Sequence, residues 1–119
     1  MVLDNFDNSS PEALERVQGL ADSNALDLVE GDVRDLDAIN RAFDCGGPID
    51  GVIHFAGLKA VGESVADPLR YWDVNLNGSR VLADAMEQHQ CRTLVFSSTS
   101  TVYGAVSYTH LTLPTSYAV

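Results

Sequence analysis

Gly51-Val52-Ile53-His54-Phe55-Ala56-Gly57-Leu58-Lys59 is the stretch on which the fold turns. It opens as an apolar run with little alternation, the pattern of a strand covered on both faces, and a glycine-containing loop from Ala56 to Gly62 follows. Covered strands belong to parallel sheets, which need helical crossovers on either side. Upstream, Asp35 is placed to cap a helix with Leu36, Ile39 and Phe43 along one stripe, broken by Gly46-Gly47-Pro48. Before it, Leu26-Asp27-Leu28-Val29 reads as a strand closing on Glu30-Gly31-Asp32. Earlier still, Ser9 or Ser10 caps a helix that starts at Pro11 and carries Leu14, Val17 and Ala21 at helical spacing. Gly19 or Asp22-Ser23-Asn24 ends that helix, and Val2-Leu3 is a short apolar start that stops at Asp4. Downstream, Asp67-Pro68 opens the longest helix, to about His89, and Thr93-Leu94-Val95-Phe96 makes another buried strand. Strands and helices thus alternate along the whole chain, which predicts an α/β fold with a parallel sheet.

Composition narrows the function. The chain has 119 residues, enough for one ordinary domain, and 45% of them are hydrophobic. Its net charge of −10 would be repelled by a nucleic acid duplex or an anionic membrane. No apolar run approaches the ~18 residues of a bilayer span, and Met1 to Phe6 lacks the basic start of a secretory signal. Cys45 and Cys91 stand far apart without paired Cys/His spacing, so no metal site is expected. Isolated thiols suit a reducing compartment, and a cytoplasmic protein is the expectation.

Function in parallel sheets gathers at the carboxyl ends of the strands. Here those ends are Asp4, Glu30-Gly31-Asp32, Phe55-Ala56-Gly57 and Ser97 to Thr101, each polar or small where the apolar run stops. A polar ligand lying across that rim is the reading they favour together. Asp4 is placed to accept hydrogen bonds from a ribose diol, or to serve as a turn aspartate. Lys59 is either a phosphate contact or a solvated lysine, and the Ser97–Thr101 hydroxyls are turn formers or an alcohol partner. His54, inside an apolar strand with no acidic neighbour at triad spacing, reads as a core or rim histidine. At 100° per residue, Leu69, Trp72, Leu76, Ser79, Leu82, Ala83 and Met86 share one broad face of the long helix, with Asn75 inside it. A buried amide needs partners, and a neighbouring loop backbone is the expected one for Asn75. Val74, Val81 and Ala85 form a stripe roughly opposite, which is expected to meet a second subunit or a covering loop.

The run from Val52 to Val65 resembles the most characteristic stretch of the UDP-glucose 4-epimerases, in the extended short-chain dehydrogenase/reductase family. Leu3 to Ser9, Glu30 to Arg34 and Phe96 to Gly104 agree in order and spacing, so the resemblance covers about Val2 to Gly104. It implies a partial Rossmann-type doubly wound parallel sheet that binds NAD. By that resemblance Asp4, Asn5, Asn8 and Ser9 hold the adenosine ribose region, and Asp32 and Val33 flank the adenine. Phe55, Ala56, Gly57, Leu58 and Lys59 line the stretch from pyrophosphate to nicotinamide, and Asn75 braces that pocket. Thr99 matches the family's hydroxyl that bonds the substrate sugar beside the catalytic tyrosine. The reaction implied is interconversion of UDP-glucose and UDP-galactose, in galactose metabolism, by a homodimeric enzyme.

The departures are equally definite. No GxGxxG or GxxGxxG occurs, and Tyr71, Tyr103 and Tyr108 are followed four residues later by Asn75, Ser107 and Thr112, so no Tyr-x-x-x-Lys pair is present. The expectation is an N-terminal fragment of the enzyme that is inactive as written. The alternatives are a non-catalytic nucleotide-binding remnant, or a fragment of a related nucleotide-sugar dehydratase. Residues 105–119, with Ser107 to Thr115, resemble a translated sequencing adapter and are expected to be a foreign tail after a partial NAD-binding domain at 1–104. In the resembled fold a strand absent here lies at the sheet's centre. The pair starting at Val2 and Leu26 is therefore expected to be separated from the pair starting at Gly51 and Thr93, with marginal stability in solution.

Overall fold

A computed structural model describes residues 1–21 and 26–98, with the side chain of Ala21 excepted. In chain order these residues form β1 (Val2–Asp4), α1 (Pro11–Ala21), β2 (Leu28–Glu30), α2 (Leu36–Cys45), β3 (Val52–His54), α3 (Val61–Ala66), α4 (Pro68–Trp72), a π-helical turn (Asp73–Asn77), α5 (Gly78–Gln88) and β4 (Leu94–Phe96). The alternation expected from the sequence is present.

The caps explain the boundaries. Ser10 Oγ accepts from the Glu12 N–H at 3.3 Å while its carbonyl takes the Ala13 N–H, and Pro11 fills the position where a missing N–H costs nothing. Asp35 accepts from the Asp37 N–H at 3.0 Å to start α2, and Gly47 follows its end at φ +67°, where a side chain would be strained. Asp67 ends α3 and starts α4, its carboxylate accepting from the Arg70 N–H. α3 is a correction to the expected loop, which now closes before Val61. Only Asp67 separates α3 from α4, so the Asp67-Pro68 pair that opens one helix also closes another.

β1 pairs with β2 in parallel, Val2 opposite Leu28 and Asp4 opposite Glu30. β3 pairs with β4 in parallel, Val52 opposite Leu94 and His54 opposite Phe96. These are two separate two-stranded sheets, and the expected separation is present among the described residues. β4 is not the buried strand its composition predicts, because Leu94, Val95 and Phe96 are all exposed. Ile53 in β3 is 64% exposed for the same reason: no described element covers it.

The core lies between α2 and α5. Ile39 and Phe43 meet Val81, Leu82, Ala85, Met86 and Cys91, with Leu3, Val33, Leu36, Ile49 and Val52 packed around them. Gly31 is required where β2 runs into α2, since a Cβ there would sit 2.6 Å from that of Ala38. Val81 and Ala85, expected on an outward stripe, are in this core, whereas Leu69, Trp72, Leu76 and Ala83 are exposed. Val81 and Ala85 share the buried face of α5 with Leu82 and Met86, all four beyond the π-helical turn at Asp73–Asn77, because that is the face α2 packs against. The turn separates this face from the exposed Leu69, Trp72 and Leu76, so the helical stretch does not present one continuous stripe.

Candidate functional site

The carboxyl ends of β1, β2 and β3 open onto one cavity of about 1120 Å³, whose lining includes Asp4, Asn5, Asn8, Asp32, Val33 and the loop Phe55 to Lys59. The residues singled out at the strand ends are thus brought together. Thr99, Tyr103 and the hydroxyl cluster beyond Ser98 lie outside the described residues.

At the end of β1, Asp4 Oδ1 accepts from the Phe6 N–H and from Ser9 Oγ, each at 2.8 Å. That pair of bonds holds Phe6 at φ 54°, a left-handed conformation that is unfavourable for a bulky side chain. Asp4 Oδ2 has no hydrogen-bond partner among the described residues and stays open to a donor. Asn5 Nδ2 donates to Asp32 Oδ2 at 2.9 Å, tying the end of β1 to the end of β2.

Asp32 is differently occupied. Its carboxylate accepts from the Arg34 backbone N–H, from Arg34 Nε and Nη2, and from Asn5. The Arg34 guanidinium therefore holds the Asp32 carboxyl well below the usual carboxylate range. Arg34 Nη1 also reaches Asp73 at 2.7 Å, lowering that carboxyl too and tying the rim to the π-helical turn. Val33 packs on Gly78, where a Cβ would sit 2.6 Å from Val33 Cγ1.

The loop after β3 is clamped by Asn75. Its Oδ1 accepts from the Leu58 N–H at 2.8 Å, and its Nδ2 donates to the Leu58 carbonyl at 3.0 Å. Gly57 permits this approach, because a Cβ there would stand 3.2 Å from Asn75 Oδ1. The expected partner is correct, but the expected burial is not: Asn75 is exposed. Phe55, Ala56 and Lys59 are exposed along the loop, and Lys59 Nζ lies 3.4 Å from Ser97 Oγ at the end of β4.

Three contacts were not legible in the sequence. Ser79 Oγ donates to the Asn75 carbonyl at 2.7 Å, so its remaining role toward His54 Nε2 at 3.0 Å is that of acceptor, and Nε2 carries the proton. His54 is buried, and burial lowers its pKa, in keeping with a core rather than a catalytic histidine. Arg70 pairs with Asp7 at 2.7 Å across the mouth of the cavity. Tyr71 donates to Glu63 and accepts from the Ala60 N–H, both at 3.1 Å, fastening α3 to α4. All three join residues far apart in sequence, or polar types with no distinguishing spacing. No cluster of three or more metal-ligating side chains occurs among the described residues, and no described helix is long and apolar enough to cross a membrane.

Known proteins are similar to this chain in sequence and in fold. The chain is 50% identical over 106 residues to the bifunctional UDP-glucose 4-epimerase and UDP-xylose 4-epimerase 1 of Pisum sativum, covering 87% of this chain and 30% of that protein. It is 50% identical over 104 residues to the UDP-glucose 4-epimerase of Bacillus subtilis, covering 87% of this chain and 30% of that protein. Among solved structures, the UDP-glucose 4-epimerase of Bifidobacterium longum in complex with NAD+ and UDP superposes with a TM-score of 0.83 at 47% identity, over 92% of this chain and 32% of that one. The chain thus spans about 30% of the length of the curated relatives it matches. The sequence profile of the NAD dependent epimerase/dehydratase family matches residues 1–118. With its fold a partial Rossmann-like α/β sheet, this chain belongs to the NAD dependent epimerase/dehydratase family.

Proposed function

We propose that the chain is part of the dinucleotide-binding half of an NAD-dependent UDP-glucose 4-epimerase. The observation that carries this is the convergence of Asp4, Asp32 and the Asn75-clamped loop on one cavity, in a chain 50% identical to such an enzyme. The residues fit NAD by their donor chemistry. Among the described residues Asp4 Oδ2 is a free acceptor of the kind a ribose diol needs, with Asn5, Asn8 and Ser9 nearby. Asp32 is saturated by Arg34 and Asn5, so its part at the adenine is to fix the rim beside Val33. Phe55, Ala56, Gly57, Leu58 and Lys59 form the wall toward the pyrophosphate and nicotinamide, held by Asn75, and Lys59 supplies the cation. Held there, NAD would supply a hydride acceptor and donor for the sugar. Thr99 is the proposed hydroxyl that holds the UDP-sugar's reacting alcohol.

The whole protein is proposed to work in the cytoplasm, in galactose metabolism, as a homodimer. The exposed apolar face of Leu69, Trp72 and Leu76 supports the pairing in place of the stripe expected at Val81 and Ala85. Residues 1–104 are the proposed nucleotide-binding part and 105–119 a foreign tail, although the family profile extends to residue 118. Sequencing the source DNA across Gly104 tests that boundary.

The function itself is tested by a chimera. Residues 1–104 would replace the matching segment of the Bacillus subtilis enzyme, with turnover of UDP-galactose as the readout. Activity in the chimera, and a raised requirement for NAD in its Asp4→Ala form, are expected. A folded chimera that binds no NAD counts against the reading.

A further inference from the structure

The ion pair of Arg70 with Asp7 spans the mouth of the cavity. Arg70 Nη2 donates to Asp7 Oδ2 at 2.7 Å, between residues 63 positions apart in the chain. Among the described residues this is the one side-chain hydrogen bond between the turn after β1 and the helices from Val61 to Gln88. Both residues line the large cavity, and both also line a smaller one of about 390 Å³ with Lys59, Glu63 and Tyr71. The pair therefore stands where the two cavities meet.

Each end of the pair is tied to a different wall. Asp7 lies in the turn that offers Asp4, Asn5, Asn8 and Ser9 to the cavity, and its N–H donates to Asn5 Oδ1 at 3.1 Å. Its neighbour Phe6 is held at φ 54°, so this turn keeps an unfavourable backbone conformation and depends on its side-chain bonds. The Asp7 carboxylate has no donor other than Arg70 among the described residues. At the other end, the Arg70 N–H donates to Asp67 at 3.2 Å in the first turn of α4. The next residue, Tyr71, accepts from the N–H of Ala60, which directly follows Lys59. One ion pair thus joins the turn on the ribose side to the helix that steadies the loop on the pyrophosphate side.

We propose that Asp7 and Arg70 are positioning residues that form a latch on the dinucleotide, an inference that rests on the NAD reading of the cavity: they hold the two walls together and slow its release, touching it with neither side chain. Charge alone gives Asp7 the opposite effect. A pyrophosphate is anionic, and Asp4, Asp7 and Asp32 all line this cavity in a chain of net charge −10. An unpaired carboxylate there repels the ligand, so on charge alone removing Asp7 would lengthen its stay. As half of a latch, Asp7 lengthens that stay, and removing it shortens it. Both side chains are about half exposed, and an exposed pair contributes little to folding. The latch therefore shows itself in cofactor exchange rather than in the stability of the chain.

The test uses the chimera carrying residues 1–104 in the Bacillus subtilis enzyme, with NADH release read from its fluorescence on mixing with excess NAD. Arg70→Gln and Asp7→Asn are each expected to speed release by about two- to fivefold, and the double variant by no more than either alone. Arg70→Lys keeps the cation and is expected to return release to within about twofold of the original. In the 119-residue chain without cofactor, Arg70→Gln should speed exchange of the Asp7 amide and leave that of Leu58, held by Asn75, unaltered. Faster release in Arg70→Gln with slower release in Asp7→Asn would make Arg70 a direct phosphate contact and overturn the latch. So would unchanged release, additive effects, no rescue by Arg70→Lys, or an unchanged Asp7 amide. A chimera with the pair intact that binds no NADH overturns the NAD reading and the latch with it. One that binds NADH but releases it independently of the pair overturns the latch alone.

Discussion

Asn75 illustrates how much one residue carries. Its amide makes both bonds to the peptide of Leu58, and its own carbonyl receives Ser79, which in turn accepts from His54. The loop that walls the cavity is thereby referred back to a buried residue of β3. Asn75→Ala removes both Leu58 bonds, and a typical hydrogen bond contributes about 1 kcal/mol net. The expected result is a Leu58 amide that exchanges faster by roughly tenfold, with exchange in α2 unaltered, as measured by amide-resolved hydrogen exchange. Asp4 shows the same economy, one oxygen shaping its own turn and the other without a partner among the described residues.

Among the elements, α5 decides where the core is. Its buried face is Gly78, Val81, Leu82, Ala85 and Met86, turned against α2, and the π-helical turn sets α4 on a different phase. Substitutions on the two faces should therefore differ sharply. Val81→Asp places an unpaired charge in the core and is expected to cost about 3 kcal/mol or more in a urea titration. Trp72→Asp, on an exposed face, is expected to change stability by less than about 0.5 kcal/mol. A reversed order would place the helix as its uninterrupted periodicity suggests.

At the scale of the molecule, two half-sheets are held together by the α2–α5 core and by rim contacts such as Arg34–Asp73 and Arg70–Asp7. Exposed ion pairs contribute little, so stability rests on the core and on buried groups such as His54. Burial lowers the pKa of His54, so the unfolded chain binds its proton more readily than the folded one. That contribution is complete above the unfolded value near 6.5 and is lost as pH falls through the lower folded value. Asp32, also depressed, contributes above the ordinary carboxylate range and loses its share only in stronger acid. The urea midpoint should be flat above about pH 7, fall first through the histidine step and again below about pH 4. His54→Gln should abolish the first decline alone, and a first decline that survives it would assign the step elsewhere.

Local chemistry was legible in the sequence because it acts over a few residues. The caps at Ser10, Asp35 and Asp67, the break at Gly46-Gly47 and the apolar strand cores all follow from neighbouring residue types. So does the gathering of Asp4, Asp32 and the Phe55–Lys59 loop, since parallel strands bring their carboxyl ends to one rim. Tertiary structure decided what depends on distance and phase. Val81 and Ala85 are buried beside Leu82 and Met86 while Asn75 is exposed, because which part of the helical stretch is covered depends on where α2 packs and not on periodicity. The ion pairs Arg70–Asp7 and Arg34–Asp73 join residues 63 and 39 positions apart, with nothing local to mark them. Burial of β3 and β4 was read from composition, yet burial is a property of neighbours, and among the described residues those strands have too few. A sequence states which faces are fit to be covered; only the packed chain determines whether anything covers them.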